Sequence, residues 1–111
     1  WNDRDYISSI RKLAKNTELL YKAHAFEQMM LRGIESEDVE NILTSSTNEI
    51  LEIQPPTNKC KDERILVYDK NYPKDIIVVS VMTNFPRIEV ITAEFVDYNK
   101  WKKVNNKLVR K

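Results

Sequence analysis

The chain's single histidine, His24, opens the run His24-Ala25-Phe26-Glu27-Gln28-Met29-Met30-Leu31-Arg32, and no other side chain has an unperturbed pKa so close to neutrality. Gln28 and Arg32 follow at i+4 and i+8. On a helix these three residues share one face while Ala25 and Met29 share another. A polar face carrying an imidazole and a guanidinium can border a cleft in which a proton moves beside an anion. The plainer alternative is that His24 caps or packs at the helix start and bonds to backbone. Arg64 is the favoured cation for a phosphate, because arginine grips that group through two parallel hydrogen bonds. Arg87 is an alternative, and both residues also suit the edge of a sheet. Thr92 closes a face running Ile88, Val90, Thr92, which turns from apolar to polar where a site could open. Its hydroxyl could hold a phosphate oxygen, although threonine is also a common strand residue. Tyr98 could act as an acid, as a stacking platform for a base, or as a packed anchor at a strand end. Cys60 lies between Lys59 and Lys61, which would lower its thiol pKa. A Cys–His nucleophile pair needs His24 nearby, and nothing in the sequence places it there. This loop reads better as solvent-exposed, its two lysines touching a substrate backbone.

The elements that must position these groups follow from periodicity. Residues 3–15 read as an amphipathic helix, with Tyr6, Ile7, Ile10, Leu13 and Ala14 at helical spacing. Asn16-Thr17 breaks it, and Leu19-Leu20-Tyr21 is a short extended piece. A second helix over 23–32 ends at Gly33, the chain's one glycine and the natural left-handed terminal residue. A third over 36–44 has Ser36 as its expected cap, Glu37 and Asp38 at the positive end of its dipole, and Val39, Ile42 and Leu43 facing inward. The period then changes to that of strands: 49–53, 64–68, 76–83 and 87–95, with turns at 54–62, 71–75 and 84–86. The stretch from residue 76 is apolar on both faces, which marks a central strand. Short connections favour an antiparallel meander. From about Asn99 a short terminal helix is expected, with Trp101 packing back on the body. The predicted fold is α+β: N-terminal helices packed on a three- to four-stranded antiparallel sheet, all in one domain over 1–111. A plain meander puts Arg64 near Thr83 and Arg87, and Thr92 towards the opposite end.

Composition narrows the class. A chain of 111 residues with 41% apolar content builds one core without disulfide or metal. One cysteine excludes an intramolecular disulfide framework, and one histidine argues against a His/Cys zinc site, so neither metal nor cofactor is expected. No apolar run approaches the ~20 residues that span a bilayer. The formal net charge of +1 hides an asymmetry, because all seventeen acids lie between Asp3 and Asp97. The last twelve residues carry Lys100, Lys102, Lys103, Lys107, Arg110 and Lys111 and no acid. Such a terminus suits a polyanion such as RNA, with Lys102 and Lys103 as binding candidates, or else the negative end of a helix dipole.

The run His24-Ala25-Phe26-Glu27-Gln28-Met29-Met30-Leu31-Arg32-Gly33-Ile34 resembles the opening motif of a widespread bacterial domain family, His-Ala-x-x-Arg-Met-x-x-Arg-Gly-Ile. Ser36-Glu37-Asp38-Val39 continues that pattern. Arg64, Ile77-Val78-Val79, Ile91-Thr92-Ala93-Glu94 and Trp101 follow in the family's order, so the resemblance covers about residues 20–101. Gln28 stands where the family usually has arginine, and Glu94 where it often has tyrosine. The family's layout is similar to that of RelE, ParE and BrnT toxins, and to ribonuclease domains at the C-termini of polymorphic bacterial toxins. The resemblance therefore implies a RelE- or barnase-like fold and a ribonuclease toxin that cleaves RNA without metal, on tRNA, mRNA or ribosome-bound RNA. It further implies an antitoxin or immunity partner and action in the bacterial cytoplasm, including after delivery as part of a larger secreted protein. Cleavage by 2′-hydroxyl attack needs a base, cations for the transition state and an acid for the leaving oxygen. His24, Arg64, Thr92 and Tyr98 are the expected catalytic set, with Arg32, Arg87, Lys59, Lys61, Lys102 and Lys103 binding substrate. A non-catalytic binding module of the same fold, or a toxin with another target, is the alternative.

Overall fold

Leu-, Ile- and Val-rich segments of two periods sort into two layers, helices on one side and a sheet on the other. The computed structural model describes residues 3–58, 63–73, 76–84, 87–105 and 107–111. Helix α1 spans Asp3–Asn16, the two-residue strand β1 Leu20–Tyr21, helix α2 Ala23–Arg32 and helix α3 Ser36–Thr44. Strands β2 (Asn48–Gln54), β3 (Arg64–Asp69), β4 (Ile77–Asn84) and β5 (Arg87–Phe95) follow, then β6 (Trp101–Val104) and β7 (Lys107–Arg110). Gly33 takes the left-handed conformation, φ 72°, and its N–H and that of Ile34 close the end of α2. The cap of α3 is Glu35 rather than the expected Ser36. Its side chain takes the Asp38 N–H, and the Asp38 carboxylate takes the Glu35 N–H at 2.9 Å, a reciprocal box that a carboxylate closes as well as a hydroxyl.

The α+β class stands, but the sheet is larger than expected and mixed. It has five strands in the order β1-β5-β4-β3-β2. β2 to β5 form the expected antiparallel meander, and β1 adds a parallel pair on β5, Leu20 opposite Glu89 and Tyr21 opposite Val90. So short a strand is held by the sheet edge it joins; the Lys22 N–H continues it by bonding the Val90 carbonyl at 3.2 Å. One sheet face meets α1 and α3 through Ile65, Val67, Ile77, Val79, Val81, Ile88, Val90 and Ala93, all at most 1% exposed.

The expected terminal helix is a β-hairpin. β6 and β7 pair antiparallel, with Trp101 opposite Arg110 and Lys103 opposite Leu108. Period-2 alternation wins over helical spacing because Trp101 and Leu108 sink into a second core, against Tyr68, Ile76 and Val78 on the other face of the sheet. Asn105, at φ 52°, supplies the left-handed turn residue a two-residue hairpin loop demands. Two contacts staple the hairpin down. Arg110 forks onto the Glu52 carboxylate with both bonds at 3.1 Å and stacks 4.8 Å over the Trp101 ring. The Leu108 N–H donates to the Tyr68 hydroxyl at 3.2 Å, and that hydroxyl donates to Glu49 at 2.9 Å.

Candidate functional site

Cross-strand partners point to the same side of a sheet, and so do residues two apart on a strand. Leu66, Ser80 and Thr92 form one such row, and Arg64 precedes Leu66 by two. Arg64, Ser80 and Thr92 therefore share the face opposite α1 and α3, the face the hairpin partly covers. The register shift between Ser80 and Val81 gives β5 one extra residue there, so Ile91 and Thr92 are both half-buried while Val90 and Ala93 are sealed in the main core. Arg87 and Glu89 alternate onto the hairpin side as well. Thr92 thus lies near the middle of β5, not at the far end from Arg64. Two strands at about 4.8 Å and two residues along at about 3.4 Å put their Cα atoms roughly 12 Å apart, within the reach of an arginine directed toward the threonine.

Electrostatics on this face are sorted by α2. Past Tyr21, α2 continues alongside β5, burying Ala25 and Met29. Lys22 at its start pairs with Glu89 at 3.0 Å. Arg32 at its end donates to the Ala93 carbonyl at 3.2 Å and stands 3.8 Å from the Glu94 carboxylate. Both carboxylates flanking Thr92 are thereby neutralised. Arg64 and Arg87 have no acidic partner among the described residues, and the buried Arg64 Nε bonds to none of them. His24 is exposed, and by helical spacing it lies on the same stripe as Arg32, on the flank of α2 that faces the hairpin side of β5. The ring is not sealed inside the protein. Among the described residues no group of three or more His, Cys, Asp or Glu side chains could hold a metal ion.

The other expected residues fall elsewhere. Tyr98 is 53% exposed, in the turn after β5. That turn adjoins the Ile77 end of β4, about five residues or roughly 17 Å along the sheet from the row of Arg64, so Tyr98 is not brought to the same phosphate. Lys102 and Lys103 are exposed on β6, a strand and not a helix. Lys59, Cys60 and Lys61 lie outside the described residues. Sequence reasoning missed Ser80, 9% exposed between Arg64 and Thr92, and the Lys22–Glu89 pair. The lone serine inside Ile77-Val78-Val79-Ser80-Val81-Met82 was the available signal for the first; nothing local announces the second, which depends on β1 pairing.

Comparison with known proteins defines the class of protein and no more. Residues 21–95 match the family described as Domain of unknown function (DUF4258), and the chain belongs to it. The matched range runs from Tyr21, the second residue of β1, to the end of β5 and holds His24, Arg32, Arg64, Arg87 and Thr92; it leaves out α1, Tyr98 and the terminal hairpin. No curated protein and no solved structure matches the chain.

Proposed function

We propose that the chain is a metal-independent endoribonuclease whose site is the β5 half of the hairpin-side sheet face, flanked by α2. The carrying observation is that Arg64, Arg87 and Thr92 share one face on which Glu89 and Glu94 are paired to Lys22 and Arg32, and Glu49 and Glu52 to Lys70 and Arg110. That arrangement leaves net positive charge for a phosphodiester. In this reading Arg64 and Arg87 hold the phosphate oxygens and stabilise the dianionic transition state, and the Thr92 hydroxyl donates to one of them. His24 accepts the proton of the ribose 2′-hydroxyl as its oxygen attacks phosphorus. The bond to the 5′-oxygen breaks, that oxygen takes a proton from water at this open face, and a 2′,3′-cyclic phosphate remains. Tyr98, at the far end of the face, can at most stack a base further along an extended strand.

A toxin role on tRNA, mRNA or ribosome-bound RNA, with a cognate antitoxin or immunity protein and action in the bacterial cytoplasm, rests on the sequence resemblance and belongs to the same proposal. The test is incubation with single-stranded RNA in EDTA. Cyclic-phosphate ends are expected, lost in His24→Ala and Arg64→Ala variants that unfold at the wild-type temperature. Intact RNA at high protein concentration refutes it. The exposed lysines of β6 and β7 favour a second reading, nucleic-acid binding without turnover, in which salt weakens binding and no cleavage accompanies it.

A further inference from the structure

On the opposite flank of α2 the molecule exposes large apolar side chains that no element covers. Met30 is 82% exposed and Phe26, one turn before it, 47%. Leu31, 81% exposed, lies beyond Glu27 around the helix, beside His24 and off this flank. Phe26 and Ser36 line two adjoining hollows. One, of about 550 Å³, runs back past Leu20 and Tyr21 towards α1; the other, of about 420 Å³, runs between Met30 and the Gly33–Ile34 link. They meet at Phe26, where the stacked Tyr21 and Phe26 rings, 4.6 Å between centroids, join an apolar end at Met29, Met30 and Ile34 to a more polar end between α1 and α3. Glu18, Glu35 and Glu40 are among the lining residues of this groove, against a single lining cation, Lys15.

We infer that this groove is a docking site for a basic amphipathic helix of a protein partner, whose apolar stripe seats on Phe26 and Met30 while its lysines or arginines meet the glutamate rim. Charge selects this occupant. A two-fold pairing with a second copy of the chain sets the acidic rim against itself, and an anionic membrane is repelled by it. Helix-in-groove recognition needs apolar anchors at i and i+4 spacing, which Phe26 and Met30 mirror on the receiving side. The site is independent of the face that carries Arg64 and Thr92.

The experiment titrates the whole chain with two synthetic helical peptides that share one leucine stripe, their polar positions lysine in one and glutamate in the other. Saturable one-to-one binding of the lysine peptide is expected, at least about tenfold tighter than the glutamate peptide, which corresponds to 1.4 kcal/mol. Met30→Asp, at a site exposed enough to leave folding intact, should abolish it, and Glu40→Lys, at an exposed lining residue, should weaken the lysine peptide while strengthening the glutamate one. Equal binding of both peptides, or of neither, overturns the inference. So does a concentration-dependent dimer lost in Met30→Asp, which makes a second copy the occupant. Binding to phosphatidylcholine vesicles that Met30→Asp removes overturns it in favour of a lipid surface.

Discussion

Truncating Trp101 to alanine measures how far the last twelve residues belong to the folded body. Trp101 is 7% exposed and packs with Leu108 against Tyr68, Ile76 and Val78. A buried tryptophan removes about 150–250 Å² from water. At about 25 cal/mol per Å² the gross transfer term is about 4–6 kcal/mol, an upper bound because the unfolded chain is partly collapsed. The cavity left behind adds to the loss, and losing the Arg110 guanidinium's seat on the ring costs roughly another 0.5–1 kcal/mol. Measured Trp→Ala changes in cores run about 3–5 kcal/mol, so a loss of about 4 kcal/mol is expected. For a domain of this size that lowers Tm by roughly 16 °C. Urea and thermal unfolding by circular dichroism read the global loss. Hydrogen exchange of the Leu108 amide, bonded to the Tyr68 hydroxyl, reads the docking itself. A solvated terminal segment would cost about 0.5 kcal/mol or less. A Tm shift under about 4 °C with Leu108 still protected would refute the second core. The same reasoning makes deletion of residues 100–111 a poor probe of RNA contact, because it strips Tyr68 and Val78 of their cover; Lys102→Glu and Lys107→Glu change charge alone.

Two further outcomes follow from the geometry. Gly33→Ala meets no atom within 4 Å, so its cost comes from the positive φ alone and should be about 1 kcal/mol by denaturant midpoint. Stability should also fall on acidification. Glu52 sits below its ordinary value of 4.5 because the Arg110 fork outweighs its partial burial; at Glu49 partial burial pushes upward but the Tyr68 hydroxyl and Lys70 outweigh it. Depressed carboxylate pKa values contribute stability that is complete above the unfolded value and lost as pH drops through the folded one. The slope therefore begins as pH falls to about 4.5, and Glu52→Gln should flatten it, checked by Tm against pH.

Legibility of the sequence tracked how local each cause was. Helix α2, its glycine terminus and strand β5 were readable to the residue, because spacing, a left-handed glycine and flanking turns are local signals. The terminal hairpin was not, because Trp101 and Val104 fit helical spacing too, and the competitor that wins is a core built by Tyr68 and Val78, far away in sequence. Asn105-Asn106 between two lysine- and valine-containing runs was the overlooked turn signal. The parallel β1–β5 pair escaped for a similar reason: two residues carry no pattern of their own. At the candidate site, residue types were legible and their arrangement was not. A meander argument kept Arg64 and Thr92 at opposite ends, since an extra residue in β5 and the true register are properties of the paired sheet.

The most direct measurement of the functional account follows the Arg64 side chain as a phosphodiester arrives. Titration with a deoxyribose dinucleotide, which lacks the 2′-hydroxyl and cannot be cleaved, is monitored by nitrogen-detected resonances of Arg64 Nε and the Thr92 backbone amide. The account predicts that both move together in one saturable, salt-sensitive transition, and that Arg87→Ala weakens it. Saturable binding that leaves Arg64 and Thr92 unmoved while shifting resonances elsewhere contradicts it.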